Sequence, residues 1–230
     1  MKTMRTGVAV VATLLAATSA FAALSKDDVK RLNESATLLS EIRSAPDDGI
    51  PQRIWNSAQC VVVIPSLKKA AFIIGGEFGS GVMSCRHAGK WGAPIFMEMA
   101  KGSAGFQIGA QSVDLVLIVR DQDGVDKLLR NKVTLGAEAS VAGGPVGRDA
   151  RAATDAQMKA EILSYSRTQG LFAGVNLSGG VVKPDEDDNR DLYGAKAPRD
   201  IVMDGTVEPP AATEAFMAQL KRTAAAGSRD

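Results

Sequence analysis

Histidine is nearly absent from this chain: His87 is the only one among 230 residues. A histidine-ligated metal cluster is thereby excluded, and a Ser-His-Asp triad would depend on that single side chain. No serine has glycines two places before and two places after it, so the nucleophile elbow is missing. No G-x-x-x-x-G-K-[ST] phosphate loop occurs either. An excess of one charge is also lacking, with 27 Lys and Arg against 26 Asp and Glu. A chain this close to neutrality is not a general polyanion binder, which argues against nucleic acid as a partner. The acidic run PDEDDNRD at 184–191 offers Asp185, Asp187 and Asn189 at the alternating positions of a calcium loop. Arg190, however, stands where that loop needs Gly, and Lys196 where it needs a bidentate Glu. The run reads instead as a solvated loop that caps the next short helix. No metal, cofactor or catalytic residue is expected.

What is present begins with a leader. Lys2 and Arg5 form a positive start, Gly7 to Ala17 is apolar, and Ala20-Phe21-Ala22 supplies a small-x-small cleavage site. Residues 1–22 therefore read as a signal peptide, with a mature protein starting at Ala23 in the periplasm or outside the cell. Losing Lys2 and Arg5 leaves 25 basic against 26 acidic residues, a net charge of −1. Residues 23–230 are enough for one well-packed domain and contain no low-complexity linker. An oxidising compartment permits a disulfide between the only two cysteines, Cys60 and Cys85. A hairpin turning at Ser66–Lys69 would set Cys60 near Gly75, with Cys85 out of reach unless the sheet curls back. A disulfide and two small buried hydrophobes are both open on this reading.

Residues 25–44 have a helical pattern, with Ser25 as N-cap, Asp28 three residues on, and Val29, Leu32, Ala36, Leu39 and Ile42 forming one stripe. Pro51 opens a second short helix. Strands are expected at 60–65, 71–85, 92–100, 104–111, 113–120 and 133–142, with a tight turn at His87–Lys90. A short helix is expected at 121–131, a hairpin over 159–166 and 171–182, and a closing helix at 211–225. Many strands with helices gathered at the termini give an α+β fold with a mainly antiparallel sheet.

The stretch from Cys60 to Arg120 alternates short apolar runs with glycines at 75, 76, 79, 81, 102, 105 and 109. Glycine inside a strand marks a bulge, a bend or the close approach of another backbone. The sheet is therefore expected to be strongly curved and barrel-like. The blocks VVVIPS at 61–66, GGEFGSGV at 75–82, K-W-x-x-P from Lys90 to Pro94 and GSAGFQIGAQSVDLVLIV at 102–119 resemble the SYLF-domain family. The likeness continues through LGAEASVAGGPVGRDA at 135–150, YSRTQGLFAGVNLSGGVV at 165–182 and N-x-x-x-Y-G at 189–194. It implies a lipid-binding domain with affinity for acidic phospholipids, phosphoinositide-type in the family, and a membrane-engaging N-terminal helix. It also implies actin, as in the fungal relatives, a role not carried over to an exported chain unless it meets a host cell.

For contact with an acidic phospholipid or membrane surface, the candidates are the basic residues at expected turns: Lys68, Lys69, Arg86, Lys90 and Lys101. A cationic rim beside an apolar, glycine-thinned sheet suits an anionic amphiphile. Gly75, Gly76, Gly79 and Gly81 would bend the sheet or admit the ligand, with Phe78 and Trp91 beside them. Arg148, in the loop GGPVGR, is a second anion site built on backbone N–H groups. The reading is thus a non-enzymatic, lipid-binding protein of the bacterial cell envelope. Its rivals are an envelope scaffold that binds a partner, and a hydrolase centred on His87.

Overall fold

Strand β1 (Cys60–Ala71) is the spine of the molecule, flanked on one side by β2 (Ile74–His87) and on the other by β5 (Gln111–Val119). The structure, a computed structural model, describes residues 24–44, 49–71, 74–104, 111–147, 157, 159–168 and 171–225. From Cys60 to Ile64 every β1 side chain is fully buried. A half-buried strand would alternate; this continuous run of Cys, Val, Val, Val and Ile needs cover on both faces. Each such side chain stabilises the fold by about 1.5–3 kcal/mol.

Beyond β2 lie β4 (Ile95–Ala104), β10 (Gly180–Pro184) and β6 (Val133–Thr134); beyond β5 lie β8 (Ile162–Thr168) and β7 (Val141–Gly143). Two short strands stand off this path: β3 (Lys90–Trp91) pairs with β2, and β9 (Leu171–Gly174) with β8. All pairings are antiparallel except that of β7 with β8, and the sheet curls into a half-barrel. Helix α1 (Lys26–Ser44) packs on α6 (Glu214–Ala225) and over β1 and β2, on the face that carries Val82 and Phe96. Helix α2 (Gln52–Ser57) is tied to α6 through Gln52, whose amide donates to the Ala224 carbonyl at 2.8 Å. The opposite face, with Cys60 and Cys85, is covered by α3 (Gln122–Leu128) and α5 (Pro198–Asp204). Helix α4 (Glu186–Tyr193) lies against β4.

The expected turn at Ser66–Lys69 is instead a bulge. Against both neighbours β1 carries one extra residue between Val63 and Lys68. Pro65 has no N–H for the ladder, and Ser66 adopts a left-handed φ of 60°. Its freed N–H donates to the Asp114 carboxylate at 3.0 Å. The strand thus continues to Ala71, Cys60 comes directly opposite Cys85 with the Cα atoms 4.0 Å apart, and the two are disulfide-bonded.

Gly79 and Gly81 are where the bulge is received. A β-carbon on Gly79 would lie 2.7 Å from Ile64 Cγ2 and 2.8 Å from Leu67 Cδ1; one on Gly81 would strike the Val63 carbonyl oxygen. Other expected strands are shorter than the sequence suggested. The run at 133–142 is split by a turn in which Gly136 has φ of 83° and Glu138 accepts the Thr134 N–H at 2.7 Å. The run at 171–182 divides because β9 stops at Gly174, pressed against the backbone of Gly143 and Gly144, and β10 crosses to the far side of the sheet.

Helix α1 begins as its sequence predicts. The Asp28 N–H donates to Ser25 Oγ at 3.1 Å, and the Ser25 N–H to Asp28 at 3.3 Å. Leu32, Leu38, Leu39 and Ile42 are buried and Ala36 half-buried, whereas Val29 stays 41% exposed. The stripe expected to engage a membrane is therefore spent largely on packing. Arg31 docks the helix onto α4, 2.9 Å from Asp188, 3.5 Å from Asp185 and 3.6 Å from Asp28, with its guanidinium 4.8 Å from the Phe96 ring centroid. Three carboxylates around one cation leave charge uncompensated. Burial, and then the hydrogen bond and charge of Asp185, push the Asp188 carboxyl up to about 7.

Two outcomes are expected. Gly81→Ala should cost about 1–3 kcal/mol through the clash with Val63, which lowers the melting temperature by roughly 2–10 °C; Gly102→Ala, with nothing within 4 Å of the new carbon, should change little. Equal melting of both variants and the parent would show that β2 does not need glycine at 81. The second concerns pH. A carboxyl raised in the folded state favours folding when protonated, so this contribution is full below its ordinary value near 4 and is lost as pH rises through about 7. Asp188→Asn should flatten that decline in urea titrations across pH 4–8; an unchanged slope would assign the proton elsewhere.

Candidate functional site

Register decides which of the basic residues meet. Lys68 is paired with Phe78, and Arg86 lies eight residues further along β2, about 26 Å at roughly 3.3 Å per residue. Lys68, Lys69 and Lys101 stand at the end where β1 stops and β2 starts; Arg86 and Lys90 stand at the other. The sequence-level rim is thus two separate groups.

At the far end, Arg86 is partly buried. Its guanidinium lies 4.6 Å from the Trp91 ring centroid and donates to the Trp55 carbonyl at 3.2 Å, while burial lowers its pKa. Trp91 is buried beneath it. Lys90 and His87 are exposed on the β2–β3 turn, where Ala88 (φ 48°) and Gly89 (φ 81°) take left-handed backbone. The His87 ring rests against Gly205. This end has the character of a structural clasp.

At the near end, one face of the sheet is exposed while the other stays buried at Leu67, Glu77 and Met99. Phe78 is 63% exposed, and across the strand pair from it Lys68 is exposed with no hydrogen bond or ion pair among the described residues. Their neighbours on the same face are small: Gly76 and Ala100 are half-buried, Gly102 and Ser112 exposed. Lys101 is on the opposite face, where its ammonium donates to the Asn176 carbonyl at 3.2 Å. The result, among the described residues, is a low surface from which the Phe78 ring and the Lys68 cation project. Glycine makes that surface low: Gly76 and Gly102 face each other across β2 and β4. Gly75 pairs with Ala71 and Ser103 in the same region. Arg148 lies outside the described residues.

Some residues whose role the sequence hid are structural. In N-x-x-x-Y-G, the Asn189 amide accepts the Phe96 N–H at 2.7 Å and donates to the Phe96 carbonyl at 2.8 Å, so it takes over the ladder where β10 ends at Pro184. One turn on, the Tyr193 hydroxyl donates to the Pro94 carbonyl. Gly194 then ends α4 with φ of 69°. Two polar residues one helical turn apart on a helix that must meet a strand edge were the available signal. Among the described residues, no three His, Cys, Asp or Glu side chains are grouped to hold a metal ion, and no helix is long and apolar enough to cross a membrane.

Comparison with known proteins places this arrangement. The model of the family Ysc84, described as Las17-binding protein actin regulator, matches residues 100–223. LAS seventeen-binding protein 3 of Saccharomyces cerevisiae is 35% identical over 182 residues, which cover 77% of this chain and 39% of that protein. An SH3 domain-containing protein of Schizosaccharomyces pombe is 37% identical over 169 residues, 72% of this chain and 39% of that one. The SH3 domain-containing YSC84-like protein 1 of Xenopus laevis is 34% identical over 172 residues, 74% of this chain and 50% of that protein. The chain therefore spans half or less of the length of these relatives, one of which is named for binding LAS seventeen and two for an SH3 domain. By the matched half of its sequence and the motifs now seen to build its sheet, the chain belongs to the Ysc84, or SYLF, family.

Proposed function

We propose that this protein is a lipid-binding module exported to the bacterial cell envelope, which docks on acidic phospholipid surfaces with the exposed face of its sheet around Lys68 and Phe78. The observation that carries the reading is the pair formed by Phe78, 63% exposed, and the unpaired Lys68 opposite it. An exposed aromatic side chain on a rigid strand is costly in water and gains by entering an interfacial layer. A lysine at that edge adds roughly 1 kcal/mol against an anionic surface. Burying most of an aromatic side chain adds about 1.5–3 kcal/mol. Either contribution alone is weak, and the two together suit reversible docking. The Cys60–Cys85 disulfide supports export, since such bonds persist in oxidising compartments. Burial of the α1 stripe supports the sheet, and not that helix, as the contacting element.

A second reading has its own observation. Leu171 is 67% exposed on β9, which among the described residues pairs with β8 alone. An open strand edge with an exposed leucine can accept a partner's strand, and the relatives' names speak of Las17 binding and of SH3 domains. On this reading the protein is an envelope scaffold.

Co-sedimentation with vesicles separates them. Lys68→Ala should weaken binding to phosphatidylglycerol vesicles about fivefold at low salt, with the difference shrinking at high salt as the charge is screened. Phe78→Ala should weaken it about tenfold or more at either salt, and Lys90→Ala should leave it unchanged. Equal binding by all four proteins would move the contact away from this end; no binding to any vesicle would favour the scaffold.

A further inference from the structure

A second site lies away from the docking end. Between the start of α1, the end of α4 and the segment 206–212 is a groove of about 850 Å³, within the roughly 300–1,000 Å³ of small-molecule sites. Its apolar wall is made by Leu24, Val29, Tyr193, Val207, Pro209 and Pro210. The Tyr193 hydroxyl is committed to the Pro94 carbonyl, so the residue offers its ring. Pro209 and Pro210 are adjacent and neither has an N–H, which removes donors from that stretch of wall. A peptide strand adds to a sheet edge through a ladder of backbone hydrogen bonds, and a proline-proline wall cannot supply one. An acyl chain needs no ladder.

The groove also carries charge of both signs. Lys196 stands with Asp191 and Glu208 on its lining, all three exposed. None of them has a hydrogen-bond or ion-pair partner among the described residues. A purely anionic headgroup would meet two carboxylates, and a purely cationic one would meet the lysine. A headgroup with an ammonium and a phosphate matches all three. We propose that this groove seats one zwitterionic, ethanolamine-type phospholipid, its acyl chain against Val29, Tyr193 and Val207, its phosphate on Lys196 and its ammonium between Asp191 and Glu208. The choice of a lipid rests on the lipid-binding reading above, but the place does not: Tyr193 anchors to Pro94, seven residues from Lys101 along the chain that forms β4, about 23 Å at roughly 3.3 Å per residue.

The test is titration calorimetry of the full protein with a twelve-carbon lysophosphatidylethanolamine below its micelle concentration, with lysophosphatidylglycerol of equal length as comparison. The ethanolamine lipid should bind more tightly. Lys196→Glu should weaken it about tenfold or more, since a charge-assisted contact becomes a repulsion. Val29→Arg should abolish it; Val29 is already 41% exposed, and an unchanged melting temperature confirms folding. Should Val29→Arg fail to fold, Lys196→Glu, at an exposed position, decides the matter alone. Both variants should co-sediment with phosphatidylglycerol vesicles as the parent does, so failure of this site and failure of the docking end are told apart. Preference for the glycerol lipid, indifference to both substitutions, or no binding of either lipid would overturn the proposal.

Discussion

The fit of the β1 bulge into the two glycines of β2 is the constraint on which the rest depends. Pro65 and Ser66 insert one residue into a strand that is paired on both sides, and the surplus backbone has to go somewhere. It goes against Gly79 and Gly81, where no β-carbon stands in the way, while the Ser66 N–H takes Asp114 as its acceptor. Asp114 is in turn held by Arg167 at 3.3 Å, and Arg167 reaches Glu41 of α1 at 2.6 Å. One irregularity therefore bends the sheet, sets the register that opposes Cys60 to Cys85, and ties the sheet to α1.

The proposed function follows from what that bend leaves exposed. Below the bulge, helices bury both faces of β1; above it, the face that carries Lys68 and Phe78 is exposed at both residues, while Leu67 and Glu77 on the other face stay buried. Phe78 and Lys68 lie in this upper part, just past the glycines. A sheet flanked by helices throughout would have no such edge, and an unbulged β1 would turn its upper side chains to the opposite face, because the period of a strand is two. The curvature and the exposed end that we propose meets lipid thus have the same origin.

Local signals were legible in the sequence. The Ser25–Asp28 capping box, the tight turn at His87–Lys90, and Gly79 and Gly81 as points of close approach stand as read, whereas Gly102 has nothing within 4 Å. The family likeness and the α+β class were legible as well. The disulfide was left open because Pro65-Ser66-Leu67 followed by two lysines looks like a turn, and only pairing on both sides turns it into a bulge. Long-range register was hidden for the same reason, so Lys68 and Lys90 read as one rim although β2 holds them at opposite ends. The Asn189 amide was hidden because its work is done on the backbone of Phe96, 93 positions away in the chain. The groove draws on three segments near residues 24–29, 191–196 and 206–212, which no local pattern connects.

Trp55 and Trp91 are both buried toward the end of the sheet remote from Phe78, which makes the parent protein its own control for orientation at a membrane. The decisive measurement is fluorescence quenching by phosphatidylglycerol vesicles whose acyl chains carry bromine, applied to the parent and to Phe78→Trp. With the upper end of the sheet in the lipid, the added tryptophan is quenched and the two native ones keep their emission. Quenching of the parent protein, or equal emission from both proteins while vesicle-bound, would contradict the account.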